Sequence, residues 1–243
     1  MKERSRRRFF TYLVRSRRLG RSLGVDLVPF KTCPYDCIYC ELGRTTHKSA
    51  TPEDYAPPKD ILREIRESLE EISPPDHITL AGAGEPALHS RIGEVISGIK
   101  EMTDIPVALL TSGALFWMKD VRASVQDADL IIPSLDAGDD TTFQCINRPH
   151  KDISFEKMVR GLSALRESYT GTLWLEVFLV EGVNAEEENI LKIRTRADRL
   201  SPDRIQLNTL DRTAAESFVR AVPEDKMKRI ASLLGPRCEV IGG

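Results

Sequence analysis

The sequence predicts an α/β protein, a partial (β/α)6 TIM-type barrel with a mostly parallel sheet, on three observations. Short runs rich in branched and aromatic residues alternate with segments whose apolar residues recur every three or four positions. Glycine and polar residues gather just after the strand runs, at the end where barrels carry their sites. A length of 243 residues with 41% hydrophobic content is enough for one large core.

The first strand is expected at Leu23–Val28. The helix after it shows Ile61, Ile65, Leu69 and Ile72 on one face. The second strand, His77–Ala81, runs into Gly82-Ala83-Gly84-Glu85, and Ile92, Val95, Ile96 and Ile99 mark the next helix. Pro106–Leu110 is the third strand, ending at Thr111-Ser112-Gly113, with a helix at about 115–124. Asp129–Ser134 is the fourth, leading to Leu135-Asp136, and Met158, Leu162 and Leu165 give its helix. Leu173–Val180 and Arg204–Leu207 are the fifth and sixth strands, ahead of helices at about 185–199 and 223–234, and Cys238–Ile241 is a short closing strand. Right-handed crossovers turn six such units into an open barrel. We expect residues 1–15 to be a basic N-terminal arm and 16–243 a single domain.

The formal charge of -2 hides an asymmetry: Met1 to Gly24 holds nine Lys or Arg against one acid, Glu3. No apolar run approaches the roughly 18 residues a membrane span needs, and the arginine-rich start lacks the apolar centre of a secretory signal. Five cysteines, an odd number, suit a reducing compartment, so a cytoplasmic location is expected.

Three of those cysteines, Cys33, Cys37 and Cys40, fall within eight residues as C-x₃-C-x₂-C. Three thiolates on one loop suit soft metal chemistry, an iron–sulfur cluster or zinc. The missing fourth cysteine leaves a coordination position open, as catalytic metal sites require.

This loop, with Tyr39 before its last cysteine, resembles the signature of the radical S-adenosylmethionine (SAM) superfamily. Ala81-Gly82-Ala83-Gly84-Glu85-Pro86 is similar to that superfamily's Gly-Gly-Glu motif, with Ala83 in place of its first glycine. More narrowly, SRRLGRSLGVDLVPFKTC (16–33), ELGRTT (41–46), GEPALHSRIGEVI (84–96), PSLDAGD (133–139), INRPH (146–150), LEVFLVEGVN (175–184) and IQLNTLDR (205–212) resemble an uncharacterised microbial branch. That branch is related to the radical SAM enzymes that form wyosine bases in tRNA. The chain holds no second cysteine cluster, so the auxiliary cluster of the wyosine-forming enzymes is not expected.

The resemblance implies that Cys33, Cys37 and Cys40 ligate three irons of a [4Fe-4S] cluster while SAM chelates the fourth. Reductive cleavage of SAM then yields a 5′-deoxyadenosyl radical that abstracts hydrogen from an unidentified substrate, a tRNA base, a peptide or a small molecule. It further implies that Tyr39 lies against the adenine and that Gly82 to Glu85 receives the methionine amino group. An electron donor of flavodoxin or ferredoxin type is implied as well. Ser112, Ser134, Asp136 and Asn208, at strand ends, are candidates for the remaining cofactor contacts.

Each assignment has a plainer counterpart. The cysteines could form a zinc clip with His47 in a non-catalytic RNA-binding module. Glu85 could cap the following helix, whose first turn favours acids. Glu176, inside an apolar strand, faces the barrel interior or a polar partner. Cys145 and Cys238 are buried hydrophobes or donors to a radical intermediate. Arg148 and His150 bind an anionic substrate or the acids around Asp139. The basic start could grip tRNA phosphates, with Phe9, Phe10 and Tyr12 stacking on bases, while Arg17, Arg18 and Arg21 could instead bind carboxylates at the barrel entrance.

Overall fold

The computed structural model describes residues 10–241. It begins with a hairpin: β1 (Thr11–Ser16) runs antiparallel to β2 (Gly20–Val25), from Thr11 opposite Val25 to Ser16 opposite Gly20. Gly20, at φ +69°, takes the left-handed backbone of the turn, and Ser16 Oγ accepts from the amides of Arg18 and Leu19. The two-residue strands β3 (Thr32–Cys33) and β4 (His47–Lys48) pair in parallel and pinch the cysteine loop between them. The order is then α1 (Pro58–Glu71), β5 (His77–Leu80), α2 (Ile92–Met102), β6 (Val107–Thr111), α3 (Lys119–Ser124), β7 (Leu130–Pro133), α4 (Asp140–Ile146), α5 (Phe155–Ser168), β8 (Thr172–Leu179), α6 (Glu187–Leu200), β9 (Arg204–Thr209), α7 (Glu224–Leu234) and β10 (Cys238–Val240).

One sheet in the order β1-β2-β5-β6-β7-β8-β9-β10 carries the fold, with β1 and β10 as its edges. Every neighbouring pair is parallel except β1 with β2. The two faces of each strand serve different layers, as the period of two dictates. Val107 and Leu109 of β6, Ile131 of β7 and Leu175 of β8 join the helix residues Ile65, Ile96 and Ile193 in the large core. Ala108, Leu130 and Ile132 point the other way and meet Leu19 from the hairpin turn, with Leu110 and Trp174 alongside. Leu19 therefore plugs the floor of the barrel, and the space above it belongs to the site.

The β/α succession matches the sequence expectation, with shifted ends. The first parallel strand is Gly20–Val25 rather than Leu23–Val28, because Asp26 to Val28 leave the sheet toward the cysteine loop. The third helix starts only at Lys119, since Ala114 to Met118 form turns closed by Met118 N to Leu115 O at 2.9 Å. Residues 11–16, expected mainly as part of a basic arm, are β1 of the sheet. Their inward positions Tyr12, Val14 and Ser16 alternate with outward Leu13 and Arg15, and the arginines mask that alternation. The short α4 was not expected; Asp139 starts it by accepting from Thr142 N at 2.9 Å.

Candidate metal centre

Cys33 ends β3, and Cys37 and Cys40 follow on the same loop, all three partly buried and free of disulfides. The loop is fastened at both ends through Lys31. Its amide donates to Ala83 O at 2.7 Å, and its carbonyl accepts from Thr46 at 3.3 Å and His47 at 3.1 Å. The Lys31 ammonium, itself 4% exposed, donates to Gly43 O inside the loop. Lys31 holds φ +65°, unusual for a residue with a side chain, and these contacts keep it there. Glu85 N donates to Thr32 O at 2.9 Å, so residues 31–32 and 83–85 lie side by side. Gly84 is obligatory there, because an added Cβ would overlap Thr32 O.

Above the loop opens a two-lobed cavity. One lobe, about 600 Å³, is lined by Cys37, Cys40, Tyr39, Phe178, Glu176 and Asn208, and Gly82 reaches into it. The second, about 560 Å³, is lined by Tyr12, Asp26, Ser22, Thr79, Ala83 and Phe30. Gly82, Arg18, Glu41, Leu42 and Arg212 border both, so the lobes adjoin. Tyr12, Val14, Phe30 and Leu42 are exposed apolar side chains around the second lobe. Asp26 accepts from Ala83 N at 2.8 Å, and burial pushes its carboxyl up.

Several expected cofactor side chains are committed to the protein instead. Glu85 is 2% exposed; its Oε1 accepts from Ala87 N at 3.0 Å and Thr111 Oγ1 at 2.6 Å, and its Oε2 from Ser112 N at 2.7 Å and Ser112 Oγ at 2.5 Å. Its carboxylate thus caps the short turn at Pro86–Leu88 and binds the end of β6, and the Ser112 hydroxyl is spent on it. Asp136, also 2% exposed, accepts from Tyr39 Oη at 2.6 Å, Asn147 Nδ2 at 2.8 Å and Phe178 N at 2.8 Å. Burial raises its carboxyl to about 6 although all three donors pull it down. Through Tyr39 and Asn147 it supports the cysteine loop. The Tyr39 ring stacks on Phe178 at 4.0 Å and 10°. Ser134 meets Glu176 through a backbone bridge, and Asn208 Nδ2 donates to Glu176 Oε1 at 3.3 Å.

Glu176 does face the barrel interior, where Arg18 Nη1 lies 2.9 Å from its Oε1, an ion pair off the hydrogen-bond direction. Arg17 pairs with Asp211 at 3.2 Å, so both arginines bind carboxylates, though not that of Asp26. Arg21 instead bonds Ser73 O at 3.1 Å. Arg148 pairs with Glu216 and His150 with Asp152, leaving Asp139 to Lys192. Cys145 is exposed on α4 and Cys238 sits on edge strand β10; neither lines the cavity. Phe10 packs on the core and Tyr12 lines the second lobe, while Arg6, Arg7, Arg8 and Phe9 lie outside the described residues.

The donor set fits a cluster with three thiolate ligands. Burial pushes Cys33 well up and Cys37 up to about 12, and the charges of the neighbouring cysteines add to both shifts, so the three sulfurs sense one another. His47, the fourth ligand that a zinc clip would need, is exposed on β4.

The comparisons agree with this geometry. The family profile "Radical SAM superfamily" matches residues 27–193. A protein named GTPase Obg from Brachyspira hyodysenteriae is 39% identical over 225 residues, which are 93% of this chain and 33% of that protein; this chain thus spans a third of that relative's length. A UPF0026 protein of Methanocaldococcus jannaschii is 33% identical over 231 residues, 94% of this chain and 71% of that one. Among solved structures, TYW1 with a lysine-pyruvate adduct bound superposes at TM-score 0.64 and 18% identity, covering 88% of this chain and 72% of that one, a likeness of fold. Together with the three-cysteine loop at the mouth of an open barrel, these matches show that the chain belongs to the radical SAM superfamily and, within it, to the group of UPF0026 proteins.

Proposed function

We propose that Cys33, Cys37 and Cys40 ligate a [4Fe-4S] cluster, that SAM occupies the lobe lined by Tyr39, Gly82 and Asn208, and that the substrate enters the adjoining lobe behind Tyr12 and Phe30. The bound cluster and SAM supply reductive carbon–sulfur cleavage and a hydrogen-abstracting nucleoside radical. The chain's own residues bind, orient and exclude water. Lys31 and Thr32 hold the cysteine loop against Ala83 to Glu85, so the residues that would hold the metal and those that would meet the cofactor stay side by side. Glu85 and Ser112 fix the segment's shape from behind, leaving the exposed backbone of Gly82 to meet the cofactor's amino group. Ser134 and Gly84 line neither lobe; Gly84 lets the segment lie against Thr32, and Ser134 bridges to Glu176.

The observation that carries this reading is the joining of the two motif segments, Lys31 to Ala83 and Thr32 to Glu85, beside a cavity that Cys37 and Cys40 line on one lobe and Ala83 on the other. The observation favours an enzyme over an RNA-binding module, because a structural clip has no need of an adjoining lobe. An external one-electron donor of flavodoxin or ferredoxin type completes the chemistry. Among substrates tRNA is the first to test, since the basic start precedes β1, whose Tyr12 faces the second lobe. The test is anaerobic reconstitution with iron and sulfide followed by electron paramagnetic resonance of the reduced protein. A cluster signal that changes on adding SAM is expected. Tight zinc uptake with no cluster signal would overturn the reading.

A further inference from the structure

The asparagine of the INRPH stretch touches a cysteine of the metal loop. Asn147 caps the C-terminal end of α4 and is 2% exposed. Its Nδ2 donates one hydrogen to Cys37 Sγ at 3.4 Å and the other to Asp136 Oδ2 at 2.8 Å. The two acceptors fix the amide orientation, because the opposite flip would aim a carbonyl oxygen at the Asp136 carboxylate and leave the Cys37 sulfur without its donor. The backbone secures the position. Asn147 N donates to Phe143 O at 2.9 Å, and Asn147 O accepts from Asp36 N at 3.0 Å, one residue before Cys37. Asn147 therefore holds Cys37 by its sulfur and by its neighbouring peptide.

The placement also separates two negative groups. Asp136 carries charge beneath the loop, and the Asn147 amide stands between that carboxylate and the sulfur, with a hydrogen turned to each. Beyond Asp136 the chain of bonds continues to Tyr39, two residues after Cys37, at 2.6 Å. The loop's middle ligand and its aromatic residue thus share one buried support.

We propose that Asn147 is a positioning residue for the metal centre: it orients Cys37 and, through its N–H···S bond, raises the reduction potential of the cluster. This rests on the radical SAM reading. Hydrogen bonds to cluster sulfurs are among the protein's levers on potential, and outer-shell partners of metal ligands alter metal affinity or activity by 10–100-fold when removed. A donor aimed at a thiolate stabilises the reduced cluster, which carries more negative charge, over the oxidised one. The effect matters here because a cluster that is harder to reduce demands a stronger external donor.

The test is a redox titration of reconstituted wild type and Asn147→Leu, a variant of similar size without the donor, followed by electron paramagnetic resonance, with circular dichroism confirming the fold. At the wild-type midpoint the variant's reduced-to-oxidised ratio is expected to fall about tenfold, which is about 59 mV for one electron. Asn147→Gln, which keeps an amide on a longer arm, is expected to fall between the two. A second measurement needs no variant: wild type labelled with ¹⁵N-asparagine should show a nitrogen hyperfine coupling to the reduced cluster in the absence of SAM. Equal midpoints in wild type and Asn147→Leu overturn the proposal. If Asn147→Leu takes up no cluster, the labelled wild type decides, and absence of the coupling overturns it. A wild type that forms no [4Fe-4S] cluster sinks the radical SAM reading itself, a separate result.

Discussion

Arg18, from the turn between β1 and β2, reaches across the barrel to Glu176 on β8, Nη1 to Oε1 at 2.9 Å. Their side chains are 18% and 16% exposed, so the pair lies between a surface ion pair, worth about 1 kcal/mol or less, and a fully buried one, which costs about 3–5 kcal/mol to break. Arg18→Met is expected to lower the unfolding free energy by about 2 kcal/mol, since it strands a half-buried carboxylate. Arg18→Met with Glu176→Leu should recover part of that loss. Urea unfolding of the two singles and the double gives the coupling, and additive losses would show that the pair does not latch the hairpin to the far strands.

Gly84 and Ala83 sit side by side in the segment that meets the cysteine loop, and their tolerance should differ. Gly84→Ala puts a methyl into Thr32 O, so it is expected to cost about 1–3 kcal/mol and to reduce iron uptake by pushing the two segments apart. Ala83→Gly, which restores the superfamily's usual glycine, should cost only about 0.5–1 kcal/mol and leave iron content unchanged. Iron per protein after reconstitution, with a thermal melt, checks both.

Burial raises the thiols of Cys33 and Cys37, the latter to about 12, so these two are protonated at neutral pH in the metal-free protein. Iron binding needs thiolates, which means that assembly releases protons and is favoured as pH rises. Iron uptake at fixed reductant should therefore increase from pH 6.5 to 8.5. The same shift has the opposite sign for the metal-free fold. A thiol raised above its unfolded value, about 8.5, stabilises the fold below that pH, and the contribution is lost as pH climbs toward the folded value. Uptake independent of pH would contradict the account.

Asp139 starts α4, the helix that ends at Asn147, and holds both Thr142 N at 2.9 Å and Lys192 at 2.8 Å. Lys192 first, then the amide, brings its carboxyl down to about 2. A depressed carboxyl stabilises the fold above its unfolded value, about 3.9, and the gain disappears as pH falls toward 2. Asp139→Ala is expected to cost about 1 kcal/mol at neutral pH, the usual worth of a cap. The difference from wild type should shrink below pH 4 and close as pH falls through 2, as acid titrations of both would show.

Much of the fold was legible because the β/α units write their periods plainly: Ile92, Val95, Ile96 and Ile99 can only be one helix face, and they are all buried in α2. β1 was not, because its period of two runs through Arg15 toward Arg17 and Arg18, and charge on a strand reads as a tail until its inward face is known to line a cavity. At the site, the cysteine spacing and the glycine-rich strand end were readable since their chemistry depends on sequence-local geometry. The supports were not. Lys31, Asp26 and Asn147 act through contacts 52 to 110 positions away along the chain, and Lys31 through an unusual backbone angle as well, and nothing in their neighbours announces either. Glu85 was readable two ways, as a ligand contact or as a cap, and the bonds from Ala87, Thr111 and Ser112 that make it a cap join strand ends that the sequence does not place side by side.

The most direct measurement is 5′-deoxyadenosine formed per protein after anaerobic reconstitution, reduction with dithionite and addition of SAM. The account predicts the nucleoside together with methionine in wild type, and none in Cys33→Ala, Cys37→Ala or Cys40→Ala preparations that remain folded. A cluster-loaded wild type that binds SAM but forms no 5′-deoxyadenosine under any reductant would contradict it, as would a cysteine variant that forms as much as wild type.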